Sequence, residues 1–490
     1  MTSIRIPGRR RRVALAAALV AGLAGGAATP AFAGTDADIA ALKKAMADMK
    51  ADYDKRLAAL EAQLQAARTA APAATTATAS APATATPPPV ATAVPVPTPP
   101  PEPASPPAPD APPLAAGGNG GSFNPSVSLI LSGLYTHTTR PPAAYRITGV
   151  ALPPDAEIGP GSQGFSLSES ELALAANIDP WLRGAINLSI SADDRISAEE
   201  AFIQTTSLSD GLGLKAGRFF SGIGYLNSQH SHTWDFVDNP LAYQAFLGTQ
   251  LADDGVQLHW LAPTDTYLEL GAELARGRSF PGSLGNDGPG RNTPGMGALY
   301  AHTGGDIGDD SSWRAGLSLL QAHAQDQSLE TADALGDTVA EAFSGHTRVW
   351  VVDGVWKWAP GGNATRTNFK LQGEWLRSER TGSLAVGDGA AQPWRGQASG
   401  GYVQAVYQFA PTWRVGVRTE RLATGRDSAL GALATSYAPR KDSLMVDFNP
   451  SEFSRFRVQL ARDEARQGAP DTQLTLQYQT SLGAHGAHAY

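Results

Sequence analysis

The sequence predicts an all-β protein: a transmembrane antiparallel β-barrel of about sixteen strands in residues 122–490, preceded by a coiled-coil helix and a proline-rich linker. Three observations predict this class. Apolar and polar residues alternate along many short segments after residue 122. Tight proline turns and long connections follow alternate strands. The run of roughly 18 apolar residues that a helical span requires does not occur after the amino-terminal signal.

Residues 1–33 have the features of a signal peptide for the general secretory route. Arg9–Arg12 form a basic region, Val13–Leu23 form an apolar core, and Ala31–Ala33 form a small-residue cleavage site. The mature protein is therefore expected to begin at Gly34. The sequence contains no cysteine, so an exported chain of this length must be stabilised without disulfides.

Residues 34–69 are predicted to form a coiled-coil helix that drives self-association. Apolar residues from Ile39 to Ala67 recur at alternating spacings of three and four, which is a heptad seam with one stutter. A trimer is the state that three side-by-side barrels require, although the seam does not determine the number of helices. The alternative is a single amphipathic helix lying on a neighbouring surface.

Residues 70–121 are predicted to be a linker rich in proline, alanine and threonine. Sixteen of the 36 prolines lie between Ala70 and Ala115, and such a composition cannot build an apolar core. Polyproline II structure would make this segment a semi-rigid periplasmic spacer. The sequence leaves open whether residues 34–121 bind peptidoglycan or another periplasmic partner, or only connect.

Residues 122–490 carry the period-two pattern of half-buried strands, as at Leu182–Ile190 and Leu268–Leu274. Five tight turns combine proline with aromatic residues and are predicted to lie on one, periplasmic rim: 177–181, 260–265, 358–360, 409–413 and 448–450. Six long connections are predicted on the other rim: 138–163, 219–254, 276–294, 324–345, 378–399 and 423–440. A soluble β-sandwich has no reason to keep this parity, whereas an outer-membrane barrel does.

The connection 219–254 is predicted to fold into the barrel as a pore loop. It contains four aspartates and no lysine or arginine, and it is far longer than an ordinary connection. The pore-loop residues expected at the constriction are Trp234, Asp235, Asp238, Asp253 and Asp254. This charge pattern predicts a preference for cations or neutral solutes.

Charged residues on the predicted strands are expected to face the lumen. The lumen candidates are a basic strip of Arg414, Arg418, Arg455 and Arg457 and the carboxylates Glu171, Glu269, Glu273 and Glu374. Their opposition could set up a transverse field across the pore. The alternative is that these side chains only wet the lumen wall.

Two histidines in the pore loop suggest a metal site. On an extended segment His230 and His232 project to the same side, and with Asp235 they would offer nitrogen and oxygen ligands that suit zinc. Three protein ligands would leave the site open, as a channel requires if the ion is to leave again. The alternative is that both histidines only pack and donate hydrogen bonds.

The strand Leu214–Phe220, followed by Gly222 and Gly224, resembles the strand that opens the third loop of phosphate-selective porins. The stretch 217–238, with its histidines and Trp234, resembles more closely a group of Gram-negative outer-membrane proteins. Some members of that group are labelled zinc-regulated or TonB-dependent receptors. The resemblance implies an inward third loop, a sixteen-stranded barrel and a homotrimer.

The sequence departs from both labels. Residues 122–490 contain only four lysines, and their 27 basic and 38 acidic residues give a net charge of −11, which disfavours an anion filter. A TonB-dependent receptor needs a plug domain before its barrel. The predicted segments before residue 122 are a coiled coil and a spacer, so that label does not describe the mechanism.

The sequence therefore predicts a channel in the outer membrane of a Gram-negative bacterium, surrounded by lipid, for the diffusion of small hydrophilic solutes. Cations, including divalent zinc, or neutral solutes are the expected cargo. Two alternatives remain: an envelope-anchoring protein, in which the coiled coil and spacer matter more than the pore, and a TonB-linked uptake receptor. No spacing indicates a nucleophile site, so no enzymatic activity, cofactor or nucleic-acid partner is predicted.

Overall fold

The structure is a computed structural model that describes residues 125–192, 195–283, 294–333, 335–425, 429–430 and 436–483, together with Lys55. The predicted signal peptide, coiled coil and linker therefore lie outside the described residues, apart from Lys55. The barrel lies within the unit Pro101–Tyr490.

Strands make up most of the described part of the chain. They are β1 (Ser126–Thr138), β2 (Gly164–Leu167), β3 (Ser170–Asn177), β4 (Leu182–Ile190), β5 (Ile196–Thr205), β6 (Leu212–Phe220), β7 (Ala252–Leu261), β8 (Tyr267–Ala275), β9 (Met296–Ile307), β10 (Ser311–Ala332), β11 (Thr338–Trp358), β12 (Asn368–Val386), β13 (Gln392–Ala410), β14 (Trp413–Ala423), β15 (Arg440–Ser451), β16 (Ser454–Glu464) and β17 (Asp471–Gly483). One α-helix, α1 (Leu241–Leu247), and three short 3₁₀ turns complete the described elements.

The strands close into a single barrel. Each pairs antiparallel with its neighbours, and β1 pairs with β17 from Ser128↔Gly483 to Thr138↔Gln473. Strands β2 and β3 pair with successive stretches of β1, so together they form one barrel strand interrupted at 168–169. The prediction of a closed antiparallel barrel of sixteen strands is confirmed.

The period-two pattern places apolar side chains outside and polar ones inside. On β14, Arg418 and Glu420 point inward and are buried, whereas Val417 points outward and is 53% exposed. Outward residues on neighbouring strands are also apolar and about half exposed, such as Leu444 and Leu460. A barrel with its apolar face outward and its polar face inward is inverted relative to a soluble core.

All five proline turns lie on one rim, here called the turn rim, because each follows a strand of even order in the barrel. Aromatic side chains pack together on the outer surface beside this rim. The ring centroids of Trp413 and Phe448 lie 4.8 Å apart, and those of Phe456 and Tyr478 lie 4.7 Å apart. No helix among the described residues is both long enough and apolar enough to cross a membrane.

The prediction of long connections at 324–345 and 378–399 is wrong. Strands β10 and β11 run almost to each other and leave only 333–337 as their turn, and β12 and β13 leave only 387–391. The extended parts still form ladder hydrogen bonds, as the pairing Leu329↔Glu341 shows. Their outward residues are mostly polar or small, as at Gln325, Ser328 and Glu330, so the apolar alternation that marks a strand stops before the strands do.

Candidate pore constriction

The residues between β6 and β7, 221–251, are here called the pore loop. The loop is anchored inside the barrel by polar side chains of strands on opposite walls, and it contains a 3₁₀ turn, Ser231–Thr233, followed by α1. The wall residues that bond to it include Glu171, Glu200, Glu273, Ser318, Glu374, Gln404, Arg414, Arg418, Glu420, Lys441, Arg455, Arg457, Gln459 and Gln479.

The first turn of the loop is held by two wall carboxylates. Glu273 accepts hydrogen bonds from the Ser221 hydroxyl (2.6 Å) and the Gly222 amide (2.8 Å). Further along, Glu374 accepts from the amides of Tyr225 (3.0 Å) and Leu226 (2.9 Å). Two glutamates that were predicted to face the lumen therefore accept hydrogen bonds from the backbone amides of the loop.

Glu374 also accepts hydrogen bonds from the hydroxyls of Tyr243 (2.7 Å) and Tyr402 (2.6 Å), so both of its oxygens face only donors. We expect Glu374→Gln to loosen the first half of the loop, because its amide nitrogen would oppose the backbone N–H of Tyr225 or Leu226 at a cost of about 1–3 kcal/mol. Hydrogen exchange of the Tyr225 and Leu226 amides should become faster.

The matched control is Glu379→Gln on the same strand, because Glu379 forms an exposed ion pair with Arg377. This variant should leave the exchange of Tyr225 and Leu226 unchanged. Equal exchange in wild type and Glu374→Gln would show that the apolar packing of the loop holds these amides without the carboxylate.

A glycine allows the loop to approach Glu374. Gly224 has φ +68°, and a Cβ there would lie 2.8 Å from the Tyr243 hydroxyl and would also collide with Glu374. Only glycine combines this conformation with such close contact. The Gly-rich opening of the loop is therefore required by its docking on the wall.

A second cluster of contacts between the loop and the wall places His230 and His232 beside three glutamates. His232 Nδ1 lies 2.9 Å from Glu171 Oε2, and His230 Nε2 lies 3.1 Å from Glu200 Oε2. His230 Nδ1 lies 3.4 Å from both Glu171 Oε1 and Glu199 Oε2. Burial alone would lower the pKa of His230, but the charge of Glu171 and the adjacent carboxylates of Glu199 and Glu200 raise it well above its ordinary value.

A β-bulge brings two consecutive glutamates to this cluster. Asn187 pairs with Glu200 and Leu188 pairs with Ala198, so Glu199 is an extra residue without a partner in the ladder. In a regular strand, Glu199 and Glu200 would point to opposite faces. Sequence analysis missed both residues, and the adjacent pair of glutamates was the signal available for finding them.

Asp235 does not join the two histidines, which differs from the predicted metal site. It forms an ion pair with Lys370, lies 3.4 Å from Arg414 Nη1, and accepts a hydrogen bond from Gln404 (3.0 Å). The prediction assumed an extended segment. The 3₁₀ turn Ser231–Thr233 redirects the chain between the histidines and the aspartate.

Asp238 lies between two cations on the opposite wall. Arg418 Nη2 donates to its Oδ1 (2.7 Å), Lys441 pairs with its Oδ2, and Gln459 donates to it (2.9 Å). Burial alone would raise the pKa of Asp238, but the charges of Lys441 and Arg418 lower it well below the ordinary value. The carboxylate is therefore ionised at neutral pH.

Two further arginines of the predicted basic strip bind the loop backbone. Arg457 donates to the Trp234 carbonyl (3.0 Å), and Arg455 donates to the His232 carbonyl (2.8 Å). Arg457 also forms a buried ion pair with Asp447. All four predicted arginines face the interior. They bind the loop or pair with wall carboxylates, and they do not line one face of an open pore.

The remaining predicted residues take other positions. Asp253 and Asp254 belong to β7 and not to the loop. Asp253 accepts hydrogen bonds from the amides at 277–279, whereas Asp254 pairs with Arg218 on the outer face. Glu269 lies on the inner wall beside His302 and Tyr267.

The part of the loop that forms α1 is mostly apolar. All seven residues of Leu241–Leu247 are buried, and they pack with inward-facing wall residues such as Leu320 and Val351. Residues 139–163 add Tyr145 and Ile147 to the same core. The pore loop and this segment together occupy the interior near the rim of the long connections.

No protein-family model matches the chain. Three solved structures that share its outline are the outer-membrane channel DcaP of Acinetobacter baumannii (11% identity, 75% of this chain and 100% of that chain, TM-score 0.46), an anion-selective porin from Comamonas acidovorans (10%, 74% and 100%, 0.45) and OprB of Pseudomonas putida (13%, 74% and 94%, 0.44).

Sequence comparison finds a relative at much higher identity. An uncharacterized protein of Aquifex aeolicus is 30% identical over 347 residues, which cover 67% of this chain and 70% of the relative. An alignment of 347 residues is too long to come from one shared loop or hairpin. The chain belongs to the family of this Aquifex aeolicus protein.

Proposed function

We propose that this chain is an outer-membrane channel for the passive diffusion of small hydrophilic solutes, with the pore loop as its constriction. The observation that carries the proposal is a closed barrel with a polar interior crossed by a docked loop. A barrel of sixteen strands is wide enough to leave an aqueous lumen, so a loop inside it decides the width of the path.

The outer surface supports a membrane location. Outward apolar side chains on many strands are exposed, and in water they would form a patch far larger than monomeric soluble proteins carry. The aromatic cluster of Trp413, Phe448, Phe456 and Tyr478 lies where a lipid interface would meet the turn rim. Lipid is therefore the proposed environment of this surface.

The proposed preference is for cations or neutral solutes over anions. Residues 122–490 carry 27 basic and 38 acidic residues. Of the four barrel lysines, Lys370 and Lys441 are each paired with a loop aspartate. They therefore do not form the basic path that attracts phosphate or another anion.

The test is to reconstitute the purified full chain into planar bilayers. We expect discrete conductance steps, and a reversal potential in a salt gradient that shows weak cation preference. A heat-denatured sample is the control. A folded, inserted barrel without conductance would contradict the channel and favour an anchoring role, whereas clear anion selectivity would contradict only the proposed preference.

A further inference from the structure

The cluster of Glu171, Glu199, Glu200, His230 and His232 at the 3₁₀ turn of the pore loop has a geometry that ordinary hydrogen bonding does not explain. His230 Nδ1 lies 3.4 Å from an oxygen of Glu171 and 3.4 Å from an oxygen of Glu199. Hydrogen bonds between nitrogen and oxygen are normally about 2.7–3.2 Å long. The His230 side chain is only 9% exposed, and its buried Nδ1 has no hydrogen-bond partner.

These distances match the edges of a metal coordination shell. Ligand atoms at about 2.0–2.2 Å from a tetrahedral zinc ion are roughly 3.3–3.5 Å from one another. One ligand atom each from Glu171, Glu199 and His230 lie within 4.8 Å of one another. The three donors therefore surround a volume of the size that a small divalent cation occupies.

Neighbouring side chains hold these donors as outer partners hold metal ligands. The second ring nitrogen of His230 lies 3.1 Å from Glu200, and the second oxygen of Glu171 lies 2.9 Å from His232 Nδ1. Metal-binding histidines commonly donate their other N–H to a carboxylate, which fixes the ring. The bulge that turns both Glu199 and Glu200 inward supplies one ligand and one such partner.

Charge also favours a cation here. The cluster contains three carboxylates and two imidazoles, with Glu171 and Glu199 side chains only 6% and 14% exposed. Even with both imidazoles protonated, these five side chains carry one surplus negative charge. Such a charge is costly inside a protein unless a cation is bound beside it.

We propose that Glu171, Glu199 and His230 bind one divalent transition-metal ion of the zinc class, with Glu200 and His232 as supporting residues. The ion ties the pore loop at His230 to β3 and β5. Three protein ligands leave a fourth position for water. The mixed nitrogen and oxygen donors favour zinc-class ions over calcium and magnesium, which take oxygen ligands. This site does not require that the barrel conducts.

The test is calorimetric titration of ZnCl₂ into the purified, chelator-treated full chain in detergent. We expect one site per chain, and at least tenfold weaker binding in both Glu171→Gln/Glu199→Gln and His230→Gln. The matched control is His323→Asn/His346→Asn, which removes another pair of neighbouring histidine rings, 4.7 Å apart. This control should bind zinc as the wild type does.

Circular dichroism and the gel mobility of the unheated barrel show whether each variant has folded. No zinc binding by the wild type would overturn the proposal and leave the glutamates as partners of a charged His230. Equal binding by folded wild type and folded Glu171→Gln/Glu199→Gln would overturn it as well. Loss of binding only in His323→Asn/His346→Asn would overturn it by assigning the ion to that pair.

Discussion

A chain in which a triglycine link replaces residues 228–250 is expected to conduct several-fold more current per channel than the intact protein. The deletion removes α1 and the contacts that Asp235 and Asp238 make across the barrel. Without them, the interior is bounded by the inward side chains of the strands, by the docked residues 221–227 and by the segment 139–163. A barrel of this strand number has an open aqueous lumen.

The structure shows why this deletion can be closed by a short link. The side-chain amide of Asn227 donates to the carbonyls of Ser221 (2.8 Å) and Leu251 (3.0 Å), and its oxygen accepts from the Leu251 amide (2.8 Å). Asn227 therefore holds the two ends of the loop together. Ser221–Asn227 can stay docked on Glu273 and Glu374.

The control replaces the hairpin turn 387–391, which lies outside the pore loop, with the same triglycine link. Its single-channel conductance should equal that of the wild type. Unchanged conductance in the loop deletion would show that the loop does not narrow the path. Loss of conductance from a folded, inserted barrel would show that the loop forms the path instead of obstructing it.

Strand number and rim assignment could be predicted because they depend on local patterns. Alternation marks a strand wherever its outer face meets apolar surroundings, and a proline beside aromatics marks a tight turn. This apolar signal is missing at 324–345 and 378–399, where the strands continue with mostly polar or small residues on their outer faces. There the backbone pairing is unchanged and only the side-chain signal disappears.

The charged residues of the interior could be assigned to the lumen by their position in the alternation, but their partners could not. Whether Asp238 faces water or lies between Arg418 and Lys441 depends on where the loop crosses the barrel. A β-bulge brings Glu199 beside the histidines, and a 3₁₀ turn directs Asp235 away from them. A pattern of residue types carries neither kind of information.

Asp238 offers the second large expected effect. The aspartate binds two wall cations at the start of the segment that leads into α1, and Arg418 and Lys441 are 2% and 1% exposed. Asp238→Asn would leave these buried cations with less compensation. Breaking a buried pair in this way costs about 3–5 kcal/mol. We therefore expect the second half of the pore loop to leave the wall far more often.

Because the chain contains no cysteine, a single introduced thiol can report this motion. Ala242 is fully buried in α1, and Ala242→Cys adds only one sulfur atom there. In the Asp238→Asn background, a maleimide should label Cys at this position about a hundredfold faster or more, since about 1.4 kcal/mol corresponds to a factor of ten. The measurement is the labelling rate of folded protein in detergent.

Asp254→Asn in the same Ala242→Cys background is the matched control, because it removes the same charge from β7, just beyond the far end of the loop. The Arg218 and Asp254 side chains are 25% and 38% exposed, and exposed pairs contribute about 0–1 kcal/mol. Labelling should therefore stay close to the parent rate. If Asp238→Asn also leaves the rate unchanged, the apolar packing of α1 alone holds the loop, and the ion pairs across the barrel do not control its docking.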